Sequence, residues 1–202
     1  MLTIALPKGR IADETLDRFE KAFGERFVFE DRKLILEKSG FKFLNVRNQD
    51  VPTYVMHGAA DLGVVGLDVL EEKEYDLIKL LDLKLGRCKV AFGLRAGEKL
   101  NFDKSKITIA TKHEKIAKKF FEEKAMAVEI IKLYGSIELA PLVGLCDCIV
   151  DIVETGETMK QNGLEVGPTI MESSAHLIAN KNSFYAKKEL IFNLKDNLEK
   201  FL

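Results

Sequence analysis

The chain predicts an α/β fold in two lobes, with mainly parallel sheets and a cleft between them. Three observations carry this reading. Strands and helices alternate from end to end, the pattern of sheets with helices packed on their faces. Cys88 to Arg95 is a long apolar-rich strand that can cross into a second lobe, and Ala175 to Asn180 is a matching return. Lys8-Gly9-Arg10 and Thr155-Gly156 each follow a strand and open a helix, and ligands of open α/β sheets sit beyond the carboxyl ends of strands. The lobes are therefore expected at 1–90 plus 178–202 and at 91–177.

Each element has a local reason. Leu2 to Leu6 is the first strand, and Pro7 separates it from a helix over about Arg10 to Phe23, where Ala12, Leu16, Phe19 and Phe23 fall on one stripe. Leu34 to Leu36 and Phe41 to Val46 pair around Ser39-Gly40. Asp50 reads as an N-cap, with Pro52 in the first turn of a short helix reaching about His57. Asp61 to Gly66 is the next strand, followed by a helix near Leu67 to Glu72, and Leu77 to Leu81 closes the first lobe. In the second lobe the alternation repeats: Ile107 to Ala110, a helix over 112–124, Val128 to Lys132, a helix over 136–144, and Cys148 to Val153. After the return crossing, Ser183 reads as the cap of an amphipathic helix running to Leu202, back on the first lobe. No internal sequence repeat is evident.

Composition excludes several function classes. In 202 residues, 47% hydrophobic content can supply a real core, while 31 basic against 32 acidic residues give a formal charge of −1. Such a balance provides no global field for nucleic acid or an anionic membrane, so any anion site must be local. No apolar run approaches membrane-span length and the amino terminus lacks a signal-like pattern, which points to the cytoplasm. Three cysteines are too few for a disulfide framework, and Cys146 and Cys148 read as small buried hydrophobes. His57, His113 and His176 are scattered singly, and none is assigned a catalytic role.

The most informative stretch is Asp151-Ile-Val-Glu-Thr-Gly-Glu-Thr-Met159. The preceding residues read as a strand covered on both faces. Thr155, Gly156 and Thr158 then offer hydroxyls, backbone N–H groups and the start of a short helix, either a cradle for phosphate or, on the local pattern alone, a purely structural turn. Asp151 and Glu154 would repel a phosphate alone, and make sense if the ligand also carries a sugar diol or bound Mg²⁺. A phosphorylated sugar fits both halves. At the other strand end, Lys8, Gly9 and Arg10 combine two cations with free N–H groups, which suits a polyphosphate, the alternative being solvated surface charge. Arg32 and Arg47 lie beside strands and could place a charged fork on a phosphate. Gly63 and Gly66 in Asp61-Leu-Gly-Val-Val-Gly66 indicate either close approach by a ligand or a packing need.

Seven segments in order make the whole chain resemble the short form of ATP phosphoribosyltransferase. They are Ala5 to Arg10, Arg32 to Ile35, Val46-Arg47 with Asp50 to Pro52, Asp61 to Gly66, Gly135 to Pro141, Gly144-Leu145, and Asp151 to Met159 with Asn162 to Leu164. The resemblance implies a two-lobed fold like type II periplasmic binding proteins. It also implies the first reaction of histidine biosynthesis, in which N1 of ATP's adenine takes the phosphoribosyl group of phosphoribosyl pyrophosphate. On that basis Arg47 and Arg32 are catalytic candidates, with Arg32 reaching across a dimer interface. Asp151, Glu154, Thr155, Gly156, Glu157, Thr158 and Glu138 would bind phosphoribosyl pyrophosphate. Lys8, Gly9, Arg10, Asp61 and Gly63 would bind ATP or pyrophosphate. Mg²⁺ would ride mainly on the substrate, with Glu138 its one possible protein ligand.

The resemblance further implies a homodimer within a hetero-octamer containing a regulatory subunit similar to histidyl-tRNA synthetase. Two positions depart from the pattern: Asn48-Gln49 stands where an acidic residue is common, and Glu157 adds a carboxylate to the phosphate loop, where it is expected to face solvent. Two other readings share the suspected fold. An exported solute-binding protein would need a signal segment, and a regulator's effector domain would need a DNA-binding helix pair, for which there is no room before Leu2.

Overall fold

A computed structural model describes residues 1–202. In chain order the elements are β1 (Leu2–Pro7), α1 (Arg10–Phe23), β2 (Ile35–Lys38), β3 (Phe41–Val46), α2 (Val51–Met56), β4 (Leu62–Gly66), α3 (Leu67–Lys73) and β5 (Ile78–Asp82). There follow β6 (Cys88–Arg95), β7 (Ile107–Thr111), α4 (Glu114–Glu122), β8 (Val128–Lys132), α5 (Leu139–Leu142), β9 (Cys148–Val153), α6 (Glu157–Gln161) and β10 (Leu164–Ser173). The chain finishes with β11 (Ala175–Ala179), α7 (Lys181–Ala186) and α8 (Lys188–Glu199). Two compact units result, one of Met1–Gly86 with Ser174–Leu202, the other of Arg87–Ser173. Both cuts lie four residues before the expected ones.

The first unit holds a six-stranded sheet in the order β2-β3-β1-β4-β11-β5. Only β1 with β3 and β1 with β4 pair in parallel. The expectation of a mainly parallel sheet is thus corrected to a mixed one. A two-residue turn forces β3 to run back along β2, and β11, which arrives without a helical crossover, opposes both its neighbours. Phe19 is the centre of the core, with edge-to-face contacts to Phe27, Phe41 and Phe43 at centroid distances of 6.1, 5.4 and 5.1 Å. Ile191, Leu194 and Leu198 of α8 join the same core, which fastens the end of the chain to this unit.

Two caps differ from expectation. Asp50 lies in a 3₁₀ turn over Asn48–Asp50 and makes no capping bond, because the turn already supplies the helix entry. Asn180, rather than Ser183, caps α7: its side-chain oxygen accepts from the Ser183 N–H at 3.0 Å. The expected single terminal helix is divided at Lys187.

The second unit holds a five-stranded mixed sheet, β10-β6-β9-β7-β8, with β7 parallel to β8 and β9. Strand β10 has no counterpart among the expected elements. Gly167 and Pro168 suppress its strand signal, and the sheet tolerates them because β10 is an edge strand whose pairing with β6 shifts register twice. The helix expected over 136–144 shrinks to the single turn of α5. Cys146 and Cys148 are buried, as expected, and burial pushes the Cys148 thiol up to about 12.

The two units share a device. In the first, Asp61 donates its N–H to the Thr3 carbonyl at 2.8 Å and accepts the Thr3 N–H on Oδ2 at 2.9 Å. In the second, Asp147 does the same with Thr108, at 2.8 and 2.9 Å. Each aspartate immediately precedes a strand, and each threonine begins Thr-Ile-Ala in the parallel neighbour. The registers agree: Ile4 faces Leu62 and Ile109 faces Cys148. Each carboxylate is neutralised by a lysine, Lys187 at 2.7 Å and Lys104 at 2.6 Å.

Candidate functional site

In the first unit, register brings the cations to one end of the sheet. Pro7 faces Val46, and the Lys8 N–H donates to the Val46 carbonyl at 2.8 Å, so Lys8-Gly9-Arg10 and Arg47 leave adjacent strands side by side. Strand β2 runs back along β3, with the Asn45 N–H donating to the Leu34 carbonyl at 2.9 Å, which places the Arg32 loop toward the same end. Lys8, Arg10, Arg32 and Arg47 are all exposed. Arg10 lies 3.5 Å from Glu14, whereas Lys8, Arg32 and Arg47 pair with no carboxylate. Gly9 enters α1 at φ 92°, ψ −156°, a conformation only glycine adopts readily. The side-chain oxygens of Asn45 and Asn48 are buried there without hydrogen-bond partners; Asn48 belongs to the pair that departs from the family pattern, whereas Asn45 carries no signal in the sequence.

Asp61 and Gly63 take structural roles. Asp61 is 7% exposed, and both its oxygens accept from Lys187. Burial pushes its carboxyl up, but the Lys187 bond and the Thr3 N–H outweigh burial and hold it below the usual range. A Cβ on Gly63 would come within 2.7 Å of Val55 and 2.8 Å of Val51, so this glycine lets α2 pack on β4. These contacts support the packing alternative.

In the second unit, β9 ends at Val153 and Glu154-Thr155-Gly156 turns into α6. Gly156 sits at φ 82°, and a Cβ there would meet Val166 at 2.9 Å. Two independent constraints thus require glycine. The first intrahelical bond runs from the Lys160 N–H to the Gly156 carbonyl, so earlier N–H groups of the turn have no helical acceptor. With only five residues, α6 adds little dipole, and the loop's own N–H groups and hydroxyls must hold any anion. Thr155 and Thr158 are exposed, and Thr155 Oγ1 accepts from the Glu157 N–H at 3.3 Å. Glu157 is exposed and takes a hydrogen bond from Gln161 at 3.2 Å, along the helix and away from the turn. Glu154 is exposed, and Glu138 is half-buried where α5 begins.

Asp151 lies on β9 with its side chain 19% exposed. Lys112 Nζ is 3.2 Å and His113 Nε2 3.6 Å from its Oδ1. Burial pushes this carboxyl up, but the imidazole and the Lys112 charge outweigh burial, so Asp151 is held below its ordinary range and is ionised at neutral pH. At 3.6 Å the imidazole stands just beyond hydrogen-bond distance. The sequence places Lys112 and His113 in a helix and assigns neither a role in the site. The signal that finds them is register: Thr111 faces Val150, so whatever follows β7 lies beside Asp151.

Comparison with known proteins gives one consistent result. A sequence model of the ATP phosphoribosyltransferase (HisG) family matches residues 47–200. An ATP phosphoribosyltransferase of Wolinella succinogenes is 68% identical, covering 99% of this chain and 97% of its own. Among solved structures, the ATP phosphoribosyl transferase (HisG:HisZ) complex from Thermotoga maritima superposes with a TM-score of 0.83 at 36% identity, over 99% of this chain and 98% of that one. The aliphatic sulphonate binding protein SsuA from Escherichia coli gives 0.63 at 12% identity, over 98% and 71%, a likeness of fold alone. The fold is that of type II periplasmic binding proteins.

Proposed function

The chain belongs to the ATP phosphoribosyltransferase family, a family of pentosyltransferases in histidine biosynthesis, and we propose a division of the reaction between its two strand ends. Phosphoribosyl pyrophosphate binds at the end of β9, and ATP with the leaving pyrophosphate binds at the cationic end of the first sheet. The observation that carries this is the strand-end turn of the second unit, where a glycine demanded by both φ and packing presents N–H groups beside an ionised aspartate. Thr155, Gly156 and Thr158 hold the 5′-phosphate. Asp151 accepts from the ribose hydroxyls, with Glu154 and Glu138 at the margin.

Adenine N1 donates its lone pair to C1 of the ribose as the bond from C1 to the pyrophosphate oxygen breaks. The nucleophile is already present in the substrate, so the protein needs no covalent intermediate. Its task is alignment of the substrates and stabilisation of charge on the departing pyrophosphate. Arg47, Arg32, Lys8 and Arg10 are the groups suited to that charge. No three His, Cys, Asp or Glu side chains cluster as a metal cage. This donor set fits Mg²⁺ held by the substrate's oxygens and water, with Glu138 as an outlying ligand. When bound, Mg²⁺ neutralises pyrophosphate charge.

By analogy with the Thermotoga maritima complex, a HisZ-like partner subunit is part of this proposal, as are a homodimer within a hetero-octamer and a cytoplasmic location. No helix is long and apolar enough to cross a membrane. The direct test incubates the purified chain with ATP, phosphoribosyl pyrophosphate, Mg²⁺ and pyrophosphatase, then seeks phosphoribosyl-ATP by mass spectrometry. Product is expected, from the chain alone or with a HisZ-like subunit added. Absence of product in both, with intact substrates, would overturn the assignment.

A further inference from the structure

His113 is 2% exposed, and neither ring nitrogen has a hydrogen-bond partner. Buried polar atoms without partners are rare, because each unmade bond leaves the cost of removing the group from water uncompensated. Asp151 Oδ1, itself buried and without a hydrogen bond, lies 3.6 Å from Nε2. The Lys112 ammonium, 3.2 Å from that oxygen, is an ion pair without hydrogen-bond alignment.

The backbone cannot move His113 away from this position. Its N–H donates to Thr111 Oγ1 at 2.8 Å, and that hydroxyl donates to the Val150 carbonyl at 2.6 Å, one residue before Asp151. Its carbonyl accepts the Ala117 N–H at 3.0 Å and begins α4. A side-chain shift of a few tenths of an ångström would bring Nε2 and Oδ1 within bonding distance.

We propose that His113 is a positioning residue that donates from Nε2 to Asp151 Oδ1 when the phosphoribosyl ligand binds, fixing the carboxylate's rotation so that its other oxygen meets the ribose hydroxyls. This rests on the reading of Asp151 as the diol acceptor. Because Oδ1 is buried, the exposure of Asp151 lies in its other atoms, which suits a carboxylate held by one oxygen and used through the other. The pair is then incomplete in the free protein and completed by the ligand, which concentrates its effect on one substrate.

The test is calorimetric binding of phosphoribosyl pyrophosphate with Mg²⁺, and separately of ATP, to wild type, His113→Phe, His113→Gln, Asp151→Asn and the His113→Phe/Asp151→Asn double variant. His113→Phe is expected to weaken phosphoribosyl pyrophosphate about tenfold and leave ATP unchanged. His113→Gln, which keeps a donor at similar reach, should recover most of that loss. The double variant should bind no more weakly than Asp151→Asn. Equal losses in the Phe and Gln variants, or additive losses in the double variant, would overturn the positioning role. If Asp151→Asn binds as wild type, the diol assignment itself fails, which is a separate result. Should His113→Phe not fold, ¹⁵N NMR of His113 in the wild-type protein still decides. The Nε2 resonance must move on addition of phosphoribosyl pyrophosphate, and an unmoved resonance rejects the contact.

Discussion

The parallel ladder of β1 and β4 and that of β7 and β9 are one device used twice. Aspartates 61 and 147 clamp threonines 3 and 108 through the same two bonds, in the same register. Counting from the clamps, Lys8 corresponds to His113, and Val65 to Asp151. One strand end therefore carries exposed cations with Val65 at the position of the acid, the other an ionised acid beside an imidazole. A shared frame sets where the side chains stand, and a few positions set which chemistry they meet. Spread cations suit a pyrophosphate, while one acid beside a cradle of N–H groups suits a phosphate attached to a diol.

The largest expected effect breaks the cationic side. Arg47→Ala should lower kcat about 10²-fold by removing charge stabilisation from the leaving group. A rate equal to wild type would take Arg47 out of the mechanism. Next, the acidic side should respond in KM for one substrate only. Gly156→Ala puts a Cβ into Val166 at a left-handed residue and should raise the KM for phosphoribosyl pyrophosphate about tenfold, with the KM for ATP unchanged. Equal rises in both would mean that the turn does not belong to one substrate.

The clamps themselves should differ in stability. Asp61 is the more buried aspartate, so Lys187→Met should cost about 2 kcal/mol in denaturant unfolding, and Lys104→Met under about 1 kcal/mol, because the Lys104 pair is half exposed. The sign with pH follows from the lowered carboxyl. The Asp61 contribution is fully present above about pH 4, the unfolded value, and is lost as pH falls through the lower folded value. The gap between wild type and Lys187→Met should therefore narrow in acid, and a gap independent of pH would show that the ion pair is not its source. The smallest effect is none: Glu157→Ala should leave the KM for phosphoribosyl pyrophosphate unchanged, since this carboxylate lies along α6 with Gln161. A lower KM would mean that it faces the phosphate.

Local pattern was enough for most of the fold. The apolar stripe of α1 and the apolar, β-branched or aromatic runs of β3, β6, β8 and β9 are strong local signals, and their expected bounds match the structure. Strand β10 escaped because its burial is irregular and its glycine and proline are tolerated only at a sheet edge. The turn at Thr155-Gly156 was legible as a turn because a Thr-Gly pair follows an apolar strand, and Gly156 does take a left-handed φ there; its phosphate role rests on the proposal. The clamp made by Asp61 was not legible, because the Thr3 N–H and Lys187 that bond its carboxylate stand 58 and 126 residues away along the chain.

By itself the sequence determined most of the strands and helices, β10 apart, where the backbone turns through glycine, and which side chains carry charge. These depend on neighbours within a few residues. Tertiary structure alone decided that the sheets are mixed, that Asp61 and Asp147 are twin clamps, and that His113 stands against Asp151. Each depends on strand register, which joins residues tens of positions apart and is chosen by the packing of whole faces.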